Sequence, residues 1–173
     1  MAAANLSVLV GKNFACVKIA GRANFASSPD FKTLLDELAR KSYTHFVIDL
    51  TDCVLMDSTF LGVLAGLGIK LNPRGAPAER GIELLNASPR VAELLENLGA
   101  LHLFKMTTAP LEVPADVKTC TPESINPSHE EITRTSLEAH QTLMSMSAEN
   151  VARFKDVAQF LAEDLKSLEK SSE

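Results

Sequence analysis

The chain predicts an α/β protein: a mixed β-sheet with helices packed on it, in the order β-β-α-β-α-β-α-β, followed by a C-terminal helical extension. Three observations carry this prediction. Short apolar runs of strand length recur along the first hundred residues. Between them lie segments whose apolar residues return every three or four positions, the period of a helix with one buried face. At residue 108 the composition changes, and two further helical patterns follow.

The first runs, LSVLV (6–10) and FACVKIA (14–20), flank GKN and predict a hairpin. Ser28 followed by Pro29 predicts a cap with proline at the first helical position. Phe31, Leu34, Leu35 and Leu38 then mark one face of that helix. HFVIDL (45–50) is nearly continuous in apolar residues, as in a strand covered on both sides. A helix is predicted from about Ser58 to Leu71, stopped by Asn72-Pro73, and RGAPAERG after it is a loop by composition. IELLN (82–86) is the next strand. Ser88 and Pro89 open a third helix that Gly99 closes, and LHLFKM is the last strand. Such alternation makes the sheet largely parallel after the first hairpin.

Residues 1–107 therefore form the α/β domain. Residues 108–127 hold Pro110, Pro114, Pro122 and Pro127 with few large apolar side chains, a linker composition. The extension, 128–173, starts at a capping box, Ser128 with Glu131. Its first helix carries Ile132, Leu137, Ala139, Leu143 and Met146, and Ser147 is placed to cap a second. There Val151, Phe154, Ala158, Leu161, Leu165 and Leu168 follow the spacing of a helix-packing seam. The seam fits packing on the chain's own helices, a homodimer through residues 150–169, or another partner.

The totals restrict function. Of 173 residues, 46% are hydrophobic and 23% charged, with a net charge of −5. An acidic chain lacks the broad basic face of a nucleic-acid binder. No run approaches the roughly 20 apolar residues of a membrane span, and the start has no secretory-signal pattern. Cys16, Cys53 and Cys120 form no pairing or metal motif, so a reducing cytoplasm is expected, with two of them buried in strands. HEE (129–131) reads as helix-start charge rather than a metal site. No cofactor is predicted.

The informative stretch is VIDLTDCVLMDSTFLGVLAGLG (47–68), where Asp57, Ser58 and Thr59 meet the start of a helix. Their oxygens suit capping of unpaired first-turn amides. Nucleophilic catalysis is disfavoured: Ser58 has no glycine elbow, and sequence spacing brings none of His45, His102, His129 or His140 to it. Gly62, Gly66 and Gly68 match no phosphate-binding loop and suit close packing of the helix against the sheet. Modification is the third reading. A phosphoserine at a helix start adds about −1.5 to −2 charges, which the helix tolerates and an acidic partner surface does not.

The strand–loop–helix from Phe46 to Leu67 resembles the signature of the STAS domain, the fold of bacterial anti-sigma factor antagonists. Asp49, Asp57, Ser58, Leu61, Gly62 and Leu64 fit its pattern, and Thr59 stands where a second hydroxyl is usual. The resemblance covers about residues 5–106. It implies a non-enzymatic regulator that binds an anti-sigma factor serine kinase, is phosphorylated at Ser58 (alternatively Thr59), and is reset by a phosphatase. Asp57, Ser58, Thr59, Phe60 and Gly62 would form the partner surface. Phe60 departs from the pattern, which usually has glycine there. The alternative role within the same family is a non-switching adaptor in a stressosome-like scaffold or a lipid-transport complex.

Overall fold

The computed structural model describes residues 4–12, 14–72, 81–108 and 118–171. Strands β1 (Asn5–Val10) and β2 (Ala15–Ala23) form the antiparallel hairpin, with Val8 opposite Val17. Helix α1 (Ser28–Arg40) leads to β3 (His45–Asp49), which pairs parallel to the first part of β2. Next come β4 (Cys53–Met56), helix α2 (Ser58–Leu71), β5 (Gly81–Leu85), helix α3 (Pro89–Asn97) and β6 (Phe104–Thr107). Strand β7 (Lys118–Cys120) lies antiparallel to β1, giving the order β6-β5-β3-β2-β1-β7. The loop RGAPAERG falls outside the described residues apart from Gly81's side of it.

Strand β4 was not legible in the sequence, and it matters most for the site. It pairs parallel to the far end of β2 across a register shift between Gly21 and Arg22. Gly21 has φ +89°, a conformation that glycine adopts without a Cβ penalty. β2 thus leaves β3 and takes β4 as its neighbour. The Asp57 amide donates to the Ala23 carbonyl at 2.9 Å, so the end of β2 sets where α2 begins.

The helices share one face of the sheet. Val17, Ile19, Phe46, Ile48 and Leu84 meet Phe31, Leu35, Leu61, Leu64 and Leu95 in the main core. On the other face Cys16, Val47 and Leu85 make a small cluster with Leu9 and Phe14. The expectation of a β3 covered on both sides is corrected to that extent: its second cover is a patch of strand residues. Ser28 also differs from its predicted capping role. A short 3₁₀ turn, Phe25–Ser27, precedes α1, and the Ser28 hydroxyl donates to the Phe25 carbonyl at 2.7 Å. Ser88 does cap α3, accepting from the Val91 amide at 3.2 Å, with Gly99 at φ +69° just beyond.

The extension folds as a helical hairpin, α4 (His129–Met144) and α5 (Ala148–Ser171). The predicted capping box is present: the Glu131 amide donates to Ser128 Oγ at 3.1 Å, and the Ser128 amide to Glu131 Oε2 at 2.7 Å. Helix α4 packs on α2, and α5 packs on α4. Phe154 of the predicted seam is buried, while Ala158, Leu161, Leu165 and Leu168 are half-buried. The described part of the stretch expected to be a linker is anchored at two places. β7 extends the sheet, and Asp30 in the first turn of α1 accepts from Ser124 Oγ at 2.7 Å and the Ile125 amide at 2.9 Å.

Candidate functional site

The site is assembled where β4 ends and α2 begins. Asp57 is extended (φ −93°, ψ 174°) and caps α2, its Oδ1 accepting from the Phe60 amide at 2.9 Å. Its Oδ2 accepts from the Phe25 amide at 2.7 Å, tying the 3₁₀ turn to the helix start. Burial pushes the Asp57 carboxyl above its ordinary value, against the opposing pull of the Phe60 and Phe25 amides and of His140. Of the three oxygen-bearing residues, the aspartate is the cap, and the two hydroxyls are released from that task.

Both hydroxyls face α4. Ser58 Oγ lies 3.0 Å from His140 Nε2, and His140 Nδ1 lies 2.7 Å from the Ser136 carbonyl oxygen. A carbonyl only accepts, so Nδ1 carries the proton; in the neutral ring Nε2 then accepts from the Ser58 hydroxyl. Thr59 Oγ1 and Ser136 Oγ are 3.0 Å apart, and Thr59 is buried. His140 is only 5% exposed, its ring edge-on to Phe154 at 5.1 Å. The sequence reading placed no histidine near Ser58, and the structure corrects it.

A serine hydroxyl, an imidazole and a carbonyl in series resemble an activated nucleophile. The setting argues otherwise. Acyl transfer relies on preorganised donors beside the nucleophile, and the Phe60 amide at the head of α2 is already taken by Asp57. The imidazole is buried and edge-on to a phenyl ring. The series works as a clasp between α2 and α4. Among the described residues no group of three or more His, Cys, Asp or Glu could hold a metal ion.

Phe60 and Gly62 point elsewhere than expected. Phe60 is fully buried, stacked on Phe31 with ring centroids 4.2 Å apart and planes 11° from parallel. Its side chain belongs to the core, so in this conformation it cannot touch a partner. Gly62 does permit close packing, but against α4 rather than the sheet. A Cβ added there would sit 2.5 Å from the Ala139 carbonyl oxygen. Asp49 is removed from this cluster; its Oδ1 accepts from the Thr51 amide at 3.0 Å and shapes the turn before β4.

Sequence reasoning missed Ser136, His140 and Asn150. Asn150, fully buried, donates through Nδ2 to the carbonyls of Leu98 at 2.9 Å and Leu143 at 2.8 Å. It thereby fastens the α4–α5 corner to the end of α3. Two signals were available. Helix α2 is apolar around nearly its whole circumference, which marks a helix covered on more than one side. Ser136, Ala139, His140 and Leu143 also recur at three- and four-residue spacing, a buried stripe disguised by its polar members.

Comparison with known proteins agrees with this architecture. No curated protein sequence matches the chain. Solved structures share the fold at low identity. The anti-sigma factor antagonist SpoIIAA in its unphosphorylated form is 17% identical over 61% of this chain and 88% of its own (TM-score 0.50). An anti-sigma factor antagonist from Mycobacterium paratuberculosis is 18% identical over 61% and 86% (TM-score 0.52). The protein TM1081 is 19% identical over 58% and 78% (TM-score 0.50). A family model described as the STAS domain matches residues 5–112. That span is more than half of the 173 residues and holds strands β1 to β6, the β4–α2 junction and the Asp57–Ser58 pair, so the chain belongs to the STAS domain family.

Proposed function

We propose that this chain is a protein-binding regulator of bacterial partner-switching signalling, cytoplasmic and non-enzymatic. In this reading it binds an anti-sigma factor serine kinase through the start of α2. The kinase phosphorylates Ser58, with Thr59 as the alternative acceptor, and a phosphatase restores the free form. The observation that carries the reading is the division of labour at that helix start. Asp57 alone satisfies the cap, so a phosphate on Ser58 would not remove it. The phosphate's charge would then act on whatever docks there, beside a carboxylate already partly desolvated. The fold shared with proteins named as anti-sigma factor antagonists supports the same reading.

Phosphosite mapping by mass spectrometry of the protein isolated from its native cells, with its co-purifying partners, tests it. Phosphate on Ser58 or Thr59, and a kinase bound only to the unmodified pool, is the expected result. Ser58→Ala should hold the partner persistently, and Ser58→Asp should weaken binding with an unchanged circular dichroism spectrum. Equal binding by both variants and the unmodified chain would refute the switch. One observation favours a second reading, a non-switching adaptor of a stressosome-like or lipid-transport complex: the Ser58 hydroxyl is already engaged by His140. That reading expects a stable partner and no phosphate under any growth condition.

A further inference from the structure

We infer that the α4–α5 hairpin is a cis-acting cover of the Ser58 face, and that docking of α4 excludes both a kinase and a phosphate from that serine. The inference rests on the proposed role of Ser58 as acceptor and adds its regulation. A kinase must take the acceptor hydroxyl into its own active site, within hydrogen-bond reach of its base. Here the hydroxyl is spent on His140, and the next residue, Thr59, is buried against Ser136. Neither contact survives the approach of a second protein to α2.

Space and charge give the same answer for the modified serine. A phosphoryl group adds a phosphorus and three oxygens where 3.0 Å separates Ser58 Oγ from His140 Nε2. The groups gathered there are His140 and Ser136 of α4 and the Asp57 carboxylate of the same junction. Phe154 of α5 lies edge-on to the imidazole, with ring centroids 5.1 Å apart, and His140 is buried. Asp57 and Ser58 are half-buried, so bringing a dianion beside the Asp57 carboxylate under α4 adds like-charge repulsion to partial desolvation.

The cover is built for close seating. Gly62 lets the Ala139 backbone approach α2 to a distance that no side chain would permit, and Gly66 continues the groove towards Thr142. It is also held at both ends, by Asn150 on Leu98 at the hairpin corner and by Ser124 and Ile125 on Asp30 before α4. The central bonds are hydroxyl and imidazole contacts, which water can replace once the helix lifts.

Two measurements on the full chain decide the matter. With phosphoserine encoded at position 58, amides of α4 should exchange with deuterium about tenfold faster or more than in the unmodified chain, while strand amides keep their rates. Equal protection of α4 in both would overturn the inference. In the second, α4 is locked down by Gly66→Cys with Thr142→Cys, in a Cys120→Ser background. A Cβ on Gly66 would lie 3.9 Å from Thr142 Cγ2, so the two positions face each other across the α2–α4 seam, and mass spectrometry verifies that the bond has formed before labelling. In native-cell extract with ATP, the reduced protein should be labelled at Ser58 and the oxidised one at least about tenfold more slowly. Equal labelling of the two would overturn the cover. Labelling of neither, with α4 still released by encoded phosphoserine, would sustain the cover and refute the kinase reading alone.

Discussion

Gly62→Ala isolates the contact between α2 and α4. The added Cβ would meet the Ala139 carbonyl oxygen at 2.5 Å and the Ala139 carbonyl carbon and Cβ at 2.8 Å. These are backbone and near-backbone atoms, with no flexible end to swing aside. Restoring ordinary contact requires the helices to separate by about 0.9 Å, and dispersion contacts along the seam weaken with them. That shift stretches the Ser58–His140 and Thr59–Ser136 bonds, both 3.0 Å, beyond useful length. Overpacking of this kind costs about 1–3 kcal/mol. Alanine also firms α2 itself by about 1 kcal/mol over glycine in a helix. The two effects fall on different elements, so hydrogen exchange separates them. Amides of α4 and α5 should exchange roughly tenfold faster, while α2 and the strands hold or gain protection. If α4 is unchanged and only α2 gains, the close approach of the helices is wrong. If the strands lose protection equally, the hairpin does not open independently of the core.

Three further outcomes follow from other contacts. Asn150→Ala strands the Leu98 carbonyl and takes one donor from the Leu143 carbonyl, which keeps the Met146 amide at 3.2 Å; this should cost about 2 kcal/mol and lower Tm by about 5 °C in a calorimetric scan. Burial raises the folded-state pKa of Asp57, so its contribution to stability is largest at low pH, below the ordinary carboxyl value of 3.8. That contribution is lost as pH rises through the raised value. Asp57→Asn, which keeps a capping oxygen, should flatten this part of a Tm-against-pH curve, and an unchanged slope would show that Asp57 is well solvated. Burial holds the Cys16 thiol up at about 11 and raises that of Cys53, while Cys120 is exposed. A thiol reagent at pH 8 should therefore label Cys120 within minutes and leave the other two for unfolding conditions, a result read by peptide mapping.

Much of the α/β layer was legible because its signals are local. Ser88-Pro89 and Gly99 bound α3 in sequence as they do in space, and the Ser128–Glu131 box starts α4 at the predicted residue. Strand β4 was hidden because CVLM is short and its partner is the far end of β2, reached only through the register shift at Gly21. Strand β7 was hidden inside a proline-rich stretch whose composition speaks against a strand. At the site, the chain order brings Asp57, Ser58 and Thr59 together and shows them as hydroxyls beside a cap. It could not show which oxygen caps, because all three are competent. It could not show His140, 82 residues on from Ser58, because the stripe that docks α4 mixes hydroxyls and imidazole with apolar residues. Periodicity scored on hydrophobicity passes over such a face. Phe60 was misread for a related reason: a position near a binding loop suggests a contact, while the ring turns inward onto Phe31.

The anchoring of Ser124 and Ile125 on Asp30 has a consequence for how any ligand of the α2 face must compete. From Ile125 to the Ser128 cap is three residues, a leash of about 10 Å at full extension. The start of a lifted α4 remains within that radius of its seat, so its return is a unimolecular event at an effective concentration in the millimolar range. On the proposed reading, a partner in solution would meet a site whose open fraction depends on this leash as well as on the seating contacts, and its apparent Kd would be weakened by that fraction. Lengthening the three-residue span, with no contact altered at the site, would therefore raise the open fraction and tighten the apparent binding of such a partner.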